Sequence, residues 1–368
     1  MRKAILKTHL YAALIAGCIL MIVAFTGCLL VFELKMDRWL DPKVSYVEPK
    51  GEPVPLTTLL ARVQSAYRGL KVTELNFGEA DSSVMARIGG RRVFVNPYSG
   101  EIIASRSGEP ASFHLRHLHR ELMAGKTGAL IVNIATLLVV FQSLSGLYLW
   151  WPLKRTTVKM SGSWRRINLD LHHAVGFFSC AFICVLGVTG LVKAYGDKLQ
   201  PFFDHITGSP AMTRDLASKP PVPANAIATV SIDEAVATAR VQLPGARLAR
   251  VIPPRDKNGS WIVQVKFPDD STVPGRSWVV INQYSGAVLA RLDARTAPTG
   301  SKIPIVNRAI HVGGLYGAPT RILAFLAGFA VLLQTATGYI LWSRKRVRKP
   351  AAGTVRESQY SPETTSSI

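Results

Sequence analysis

Histidine is the residue type in this chain best placed to do chemistry. Eight histidines occur among 368 residues. The stretch "INLDLHHAVGFF" sets His172 and His173 where a basic segment becomes a long apolar run. An ionisable side chain at the edge of a bilayer is costly and marks function by default; the plainer alternative is an imidazole anchored at headgroup level. The chain also repeats itself. An offset of 163 residues lays "HLYAALIAGCILMIVAFTG" on "HHAVGFFSCAFICVLGVTG", putting His9 on His172, Thr26 on Thr189 and Gly27 on Gly190. An offset of 192, without gaps, puts His119 on His311, Gln142 on Gln334, Gly146 on Gly338 and Trp150 on Trp342. Four of the histidines thus form two repeat-related pairs.

Two inward imidazoles astride a twofold axis make a natural metal site. They are too few for structural zinc, which takes four ligands. They do satisfy the two axial positions of a haem iron held between facing helices. The second ring nitrogen of such a ligand wants an acceptor. Asp170, two residues before His172, and Glu121, two after His119, are candidates for it. The cluster "FHLRHLHREL" adds His114 and His117, which share a helix face at i, i+3 while His119 points elsewhere. His173, His117 and His114 are therefore secondary candidates, as further ligands or as the lining of a substrate or proton path. For His114 and His117 a wet amphipathic surface helix is the plain alternative. No residue stands out as a catalytic nucleophile or base, because no Ser or Cys is grouped with His and Asp.

Four uncharged stretches, 10–32, 129–151, 174–192 and 322–342, are long enough to cross a bilayer, which takes about 20 apolar residues. The net charge of +21 would suit nucleic acid, but its distribution speaks against that partner. Lys and Arg crowd the ends of the spans: Arg2, Lys3 and Lys7, then Lys154, Arg155, Lys159, Arg165 and Arg166, then the residues after Trp342. The positive-inside rule makes those segments cytoplasmic, both termini included, and puts the two long loops on the far side. "FTGC" hints at lipoprotein cleavage before Cys28, but the apolar run is longer than a signal segment and the repeat uses it as a span. All four cysteines lie within spans, and Cys180 and Cys184 at i, i+4 read as core packing.

The fold class expected is an α-helical membrane protein, a four-span bundle from two tandem repeats, each built as span, α+β module, span. The boundaries are 1–36 for the first span, 37–111 for the first module, and 112–152 for a surface helix and second span. A basic cytoplasmic loop follows at 153–171, the third span at 172–195 and the second module at 196–305. The fourth span at 306–343 and a cytoplasmic tail at 344–368 complete the chain. Two such halves keep the same orientation, related by a pseudo-twofold along the membrane normal. The helix at 118–150 would overshoot the membrane and is expected to break near Gly125–Gly128. In the modules, helices at 56–67 and 232–242 each precede short alternating strands. Seven segments carry them: "KVTELNF", "SVMARIG", "RRVFVNP" and "GEIIASR", then "ARLARVIPP", "WIVQVKF" and "SWVVINQYSG". His205 is the one histidine in a module away from the spans. A Ser/Thr-Gly step recurs in every span: Thr26-Gly27, Ser145-Gly146, Thr189-Gly190 and Thr337-Gly338. Small residues there allow close approach of a helix or of a flat cofactor, and both readings stand.

These residues resemble the PepSY-associated transmembrane family, which includes inner-membrane ferric-siderophore reductases. The resemblance is carried by "LHHAVG", "THLYAA", "LHRELMAGKTG" with "LSGLYLWWPLKR", "IHVGGLYGAP" with "ATGYILW", and the two "YSG" hairpins. It covers most of the chain up to Lys349. The first span departs from the pattern, with Leu10 where the family often has a basic residue, so His9 is the least typical of the set. The resemblance implies a bacterial inner-membrane protein with two b-type haems, ligated by His9, His172, His119 and His311. It would pass electrons outward to a periplasmic ferric-siderophore and release ferrous iron. The donor would be a quinol or a cytoplasmic reductant, since no G-x-G-x-x-G fingerprint marks a nicotinamide site. Two other functions remain open: a b-type cytochrome subunit serving another protein, and a non-enzymatic PepSY protein that binds a partner such as a peptidase.

Overall fold

The computed structural model describes residues 1–210, 230–270 and 275–346. The chain begins with α1 (Arg2–Leu30), the short helices α2 (Glu33–Leu40) and α3 (Pro42–Ser45), and α4 (Leu56–Ala66). Strands β1 (Val72–Asn76), β2 (Val84–Ile88), β3 (Arg91–Val95) and β4 (Ile102–Ser107) lead into α5 (Ala111–Glu121) and α6 (Gly125–Trp150). Next come α7 (Trp164–Thr207), α8 (Ile232–Gln242) and strands β5 (Arg247–Ile252), β6 (Ser260–Lys266), β7 (Ser277–Asn282) and β8 (Val288–Leu292). Helices α9 (Thr299–His311) and α10 (Ala318–Arg346) close the described chain.

Among the described residues, α1, α6, α7 and α10 are long and apolar enough to cross a membrane. They pack in a ring: α1 and α7 lie diagonally, each against both α6 and α10. The side chains sort by size. Small residues such as Ala12, Ala16, Ala135, Ala327 and Ala330 fill the seams. Large apolar ones, including Ile15, Phe25, Leu137, Leu144, Phe178 and Ile322, face outward. In water such a surface would drive association; around a bilayer-spanning bundle it meets lipid, and small residues draw the helices together.

Helix α7 is longer than the apolar run it contains. Its 44 residues extend about 66 Å at 1.5 Å per residue, twice the hydrocarbon thickness. It takes in the end of the segment read as a basic loop and the start of the second module. It stops only at Gly208, which adopts a left-handed conformation and bonds back to His205. The break between the surface helix and the second span falls just before the Gly125–Gly128 expected: Leu122 and Met123 are left-handed, and α6 starts at Gly125. Helices α2 and α3, and strand β8 beyond the second hairpin, lie outside the elements expected from sequence, and the segment expected as the fourth span at 306–343 is divided between α9 and α10. Of the basic tail expected at 344–368, residues from 347 onward lie outside the described residues.

The described strands form one antiparallel sheet in the order β4-β3-β2-β1-β5-β6-β7-β8. Alternation predicts a short sheet in each module, and the structure joins them through β1 and β5, with Leu75 opposite Val251 and Asn76 opposite Arg250. Either strand alone would present an unpaired apolar edge, and pairing removes both edges at once. The joint is reinforced where Arg250 donates to Asn76 Oδ1 at 3.1 Å and Arg247 to the Gly78 carbonyl at 2.9 Å. One hydrophobic core serves the whole sheet, with Leu59 and Val63 of α4 beside Ile232, Val236 and Ala239 of α8. The Asp233 carboxylate at the start of α8 accepts the Leu56 and Thr57 backbone N–H groups at 2.8 and 2.9 Å, so it caps α4. The two Tyr-Ser-Gly hairpins use the same bonds. Asn96 Oδ1 accepts from the backbone of Tyr98 and Ser99, as Asn282 Oδ1 does from Tyr284 and Ser285.

Candidate functional site

The bundle places two histidines at each of its ends, and each Ser/Thr-Gly step holds one of them. At the end away from the sheet, His9 on α1 has Nδ1 2.8 Å from Ser145 Oγ of α6. His172 on α7 makes the same contact with Thr337 Oγ1 of α10, also at 2.8 Å. At the sheet end, His119 on α5 stands 3.1 Å from Thr26 Oγ1 of α1, and His311 on α9 stands 3.1 Å from Thr189 Oγ1 of α7. The two levels are far apart, because on α1 and on α7 a histidine and the hydroxyl of the other level are 17 residues, or about 26 Å, apart.

The hydrogen-bond network assigns the imidazole tautomers. Ser145, Thr337, Thr26 and Thr189 each donate their only hydroxyl proton to the carbonyl four residues back, at 2.7 Å in every case. The hydroxyl oxygen is then an acceptor, so the Nδ1 facing it carries the N–H. The Val23 carbonyl, 2.9 Å from His119 Nδ1, can only accept and enforces the same choice there. A neutral imidazole has one N–H, so in the neutral state of each ring Nε2 holds the lone pair. That is the metal-binding form, oriented by the partner of the other nitrogen.

Burial holds the two rings outside the spans in this state. It pushes His119 down to about 4 and His311 down to about 3, with the Lys193 charge adding to it in both. Both are therefore neutral at neutral pH.

The glycines of the four steps have a specific task. A β-carbon built at Gly27, Gly190 or Gly146 would stand 3.1, 3.2 or 3.3 Å from Cε1 of His119, His311 or His9. At Gly338 the corresponding distance to His172 is 3.7 Å, an ordinary contact. The step is thus a cradle for an imidazole as well as a helix-packing device. The backbones carrying His9 and His172 are anchored alike: Gln142 Nε2 donates to the His9 carbonyl at 2.7 Å and Gln334 Nε2 to that of His172 at 2.9 Å.

The sheet-end pair is spaced closely enough for two imidazoles to share one metal. Its ring centroids are 6.4 Å apart and tilted by 54°. With metal–nitrogen bonds of about 2 Å, and each nitrogen about 1.1 Å from its ring centre, two imidazoles that held one metal would have centroids up to about 6.2 Å apart. His173 stands at the same 6.4 Å from His172, but there the spacing follows from adjacency in the chain. At the opposite end His9 and His172 come from the diagonal helices α1 and α7. Among the described residues no three His, Cys, Asp or Glu side chains cluster to hold a metal ion.

The other candidates take different positions. Asp170 is not a partner of His172: it is buried and paired with Arg166 at 2.9 Å, with Arg155 at 4.0 Å. Glu121 bonds His117 rather than His119, because i, i+4 neighbours on one helix face meet while i, i+2 neighbours diverge. His117 packs on Phe113 with centroids 4.1 Å apart, and the exposed His114 meets the same ring edge-on. Neither joins His119. His173 Nδ1 is buried without a hydrogen-bond partner. Cys28 is buried, Cys180 and Cys184 are half-buried, and Cys18 is exposed on the bundle surface. The acceptors for the histidines are therefore hydroxyls on neighbouring helices, joined at His119 by the Val23 carbonyl. Their signal in the sequence was the Ser/Thr-Gly repetition itself, which does not say which side chain it meets.

A family model described as the PepSY-associated TM region matches residues 6–345, nearly the whole chain. None of the curated proteins compared with the chain matches it.

Proposed function

The chain belongs to the PepSY-associated TM family, and from that premise we propose that it is a di-haem membrane reductase. In this reading it is built from two tandem span–module–span repeats, lies in a bacterial inner membrane with both termini in the cytoplasm, and reduces a periplasmic ferric-siderophore. The observation that carries the proposal is the set of four imidazoles, each donating Nδ1–H to a Ser or Thr hydroxyl and each keeping its Nε2 lone pair.

His9 and His172 would hold one b-type haem, and His119 and His311 the other. When bound, haem supplies one-electron transfer at two levels of the bundle. The protein does the rest. The hydroxyls of Ser145, Thr337, Thr26 and Thr189 fix ring orientation and strengthen the imidazoles as donors. Gly27, Gly146 and Gly190 give the rings clearance. The apolar spans keep water and competing ligands away. The sheet stands over the His119–His311 end, where a substrate from the far side would arrive. Ferric iron is a hard cation gripped by oxygen chelators, and gain of one electron weakens that grip. The His9–His172 end is where an electron from a quinol or a cytoplasmic reductant would enter.

The test is a reduced-minus-oxidised absorption spectrum of the detergent-purified protein with haem quantified per chain. Sharp b-type bands at about two haems per chain are expected. No haem after haem-replete expression would overturn the proposal and favour a PepSY binding protein. Mixing the pre-reduced protein with a ferric-siderophore then tests the substrate: reoxidation with release of ferrous iron is expected. Its absence would favour an electron-transfer subunit serving another protein.

A further inference from the structure

The two halves of the chain hold their histidines unequally. On α7, Asn168 lies one turn before His172, and its Nδ2 donates to the Thr337 carbonyl at 3.1 Å. On α9, Asn307 lies one turn before His311, and its Nδ2 donates to the Thr189 carbonyl at 3.0 Å. In both cases the asparagine grips the backbone of the same threonine whose hydroxyl receives the imidazole. Residues four apart share a helix face, so asparagine and histidine clamp one Thr-Gly step together. The first half lacks the clamp. Ile5 and Leu115 stand one turn before His9 and His119. Among the described residues no side chain donates to the carbonyl of Ser145 or Thr26.

A second asymmetry points the same way. Helix α5, which carries His119, exits through Leu122 at φ 51° and Met123 at φ 58°. Side chains other than glycine are disfavoured in that left-handed region. Helix α9, which carries His311, turns soon after its end through Gly313 at φ 67°, where no such strain arises.

We infer that Asn168 and Asn307 are positioning residues that make the two axial ligands at each level unequal, His172 and His311 being fixed and His9 and His119 displaceable. This rests on the di-haem reading, in which each level takes one ligand from each half. At the sheet end the histidine that would yield is then His119, on a short helix with a strained exit. An incoming ligand would exchange there without releasing the group from His311.

The experiment uses the full-length protein in detergent and reads haem stoichiometry and spin state. His119→Gly should keep about two haems per chain, one of them high-spin, able to bind carbon monoxide when reduced and returned to low spin by added imidazole. His311→Gly should keep only about one. Should either variant fail to fold, Asn307→Leu and Leu115→Asn carry the test through haem transfer to apomyoglobin. Loss of one hydrogen bond should speed transfer about 5-fold in Asn307→Leu. Leu115→Asn, which adds the missing donor, should slow it. Equal haem retention in the two glycine variants, or a wild-type transfer rate in Asn307→Leu, would overturn the inference while leaving the di-haem reading intact. A wild-type protein without haem would overturn the di-haem reading itself.

Discussion

Replacing Thr337 by valine keeps the side-chain shape and removes the oxygen that His172 Nδ1–H bonds to at 2.8 Å. No other acceptor for that nitrogen is present among the described residues, so the variant leaves a buried N–H unsatisfied, at a cost of about 1–3 kcal/mol. Thr26→Val is the internal control. There the Val23 carbonyl remains 2.9 Å from His119 Nδ1 and goes on accepting. A hydrogen bond from Nδ1–H makes an imidazole a stronger donor and favours ferric over ferrous iron. In the di-haem reading, its loss should raise the midpoint potential of the haem that His172 would hold. If about 1 kcal/mol of the loss appears in the redox equilibrium, the shift is about 40 mV upward, since 59 mV corresponds to a tenfold change for one electron. Spectroelectrochemical titration of wild type, Thr337→Val, Thr337→Ser and Thr26→Val would measure it. The expected order is a clear rise in Thr337→Val, recovery in Thr337→Ser and a smaller rise in Thr26→Val. Equal shifts in the two valine variants, or none in either, would refute the assignment of the hydroxyls as the partners that tune the ligands.

Gly27→Ala would place a methyl 3.1 Å from His119 and should reduce the low-spin signal at the sheet end, whereas Gly338→Ala, at 3.7 Å from His172, should leave the spectrum unchanged. Burial pushes the Asp233 carboxyl up, but hydrogen bonds from Thr57 and Leu56 and the Arg240 charge outweigh it and leave it below its ordinary value. Its capping contribution is therefore present above the unfolded value near 4 and is lost as pH falls through the lower folded value. Urea unfolding followed by fluorescence of the buried Trp261 and Trp278 should show the acid loss in wild type and not in Asp233→Ala, which should itself cost about 1 kcal/mol at neutral pH. Protease added to intact spheroplasts should cut within 193–321 but spare 153–171; protection of the former would reverse the proposed orientation.

Much of the bundle was legible in the sequence because its signals are local. An uncharged run of about 20 residues in a bilayer has few options other than a helix, since no water satisfies its backbone. A break near Gly125–Gly128 was also legible, because a continuous helix from 118 would have been too long for the membrane; the structure sets it just before, at Leu122–Ala124. Local signals mislead where two elements continue one another. Helix α7 passes through both of its apparent boundaries, carrying Gly196 and Pro201 within it beyond the second.

By itself the sequence determined the membrane class, the four spans, most of the strands and the four histidines worth asking about, through periodicity, charge and self-similarity. Only the tertiary structure decided what each of them touches. It joined β1 to β5 into one sheet, a pairing between residues about 175 positions apart that no local pattern encodes. It also withdrew Asp170 and Glu121 as partners of His172 and His119 and gave that role to hydroxyls on other helices. Hydrogen bonds are set by distance and direction in three dimensions, and spacing along a chain constrains those only within one turn of helix or one pair of strands.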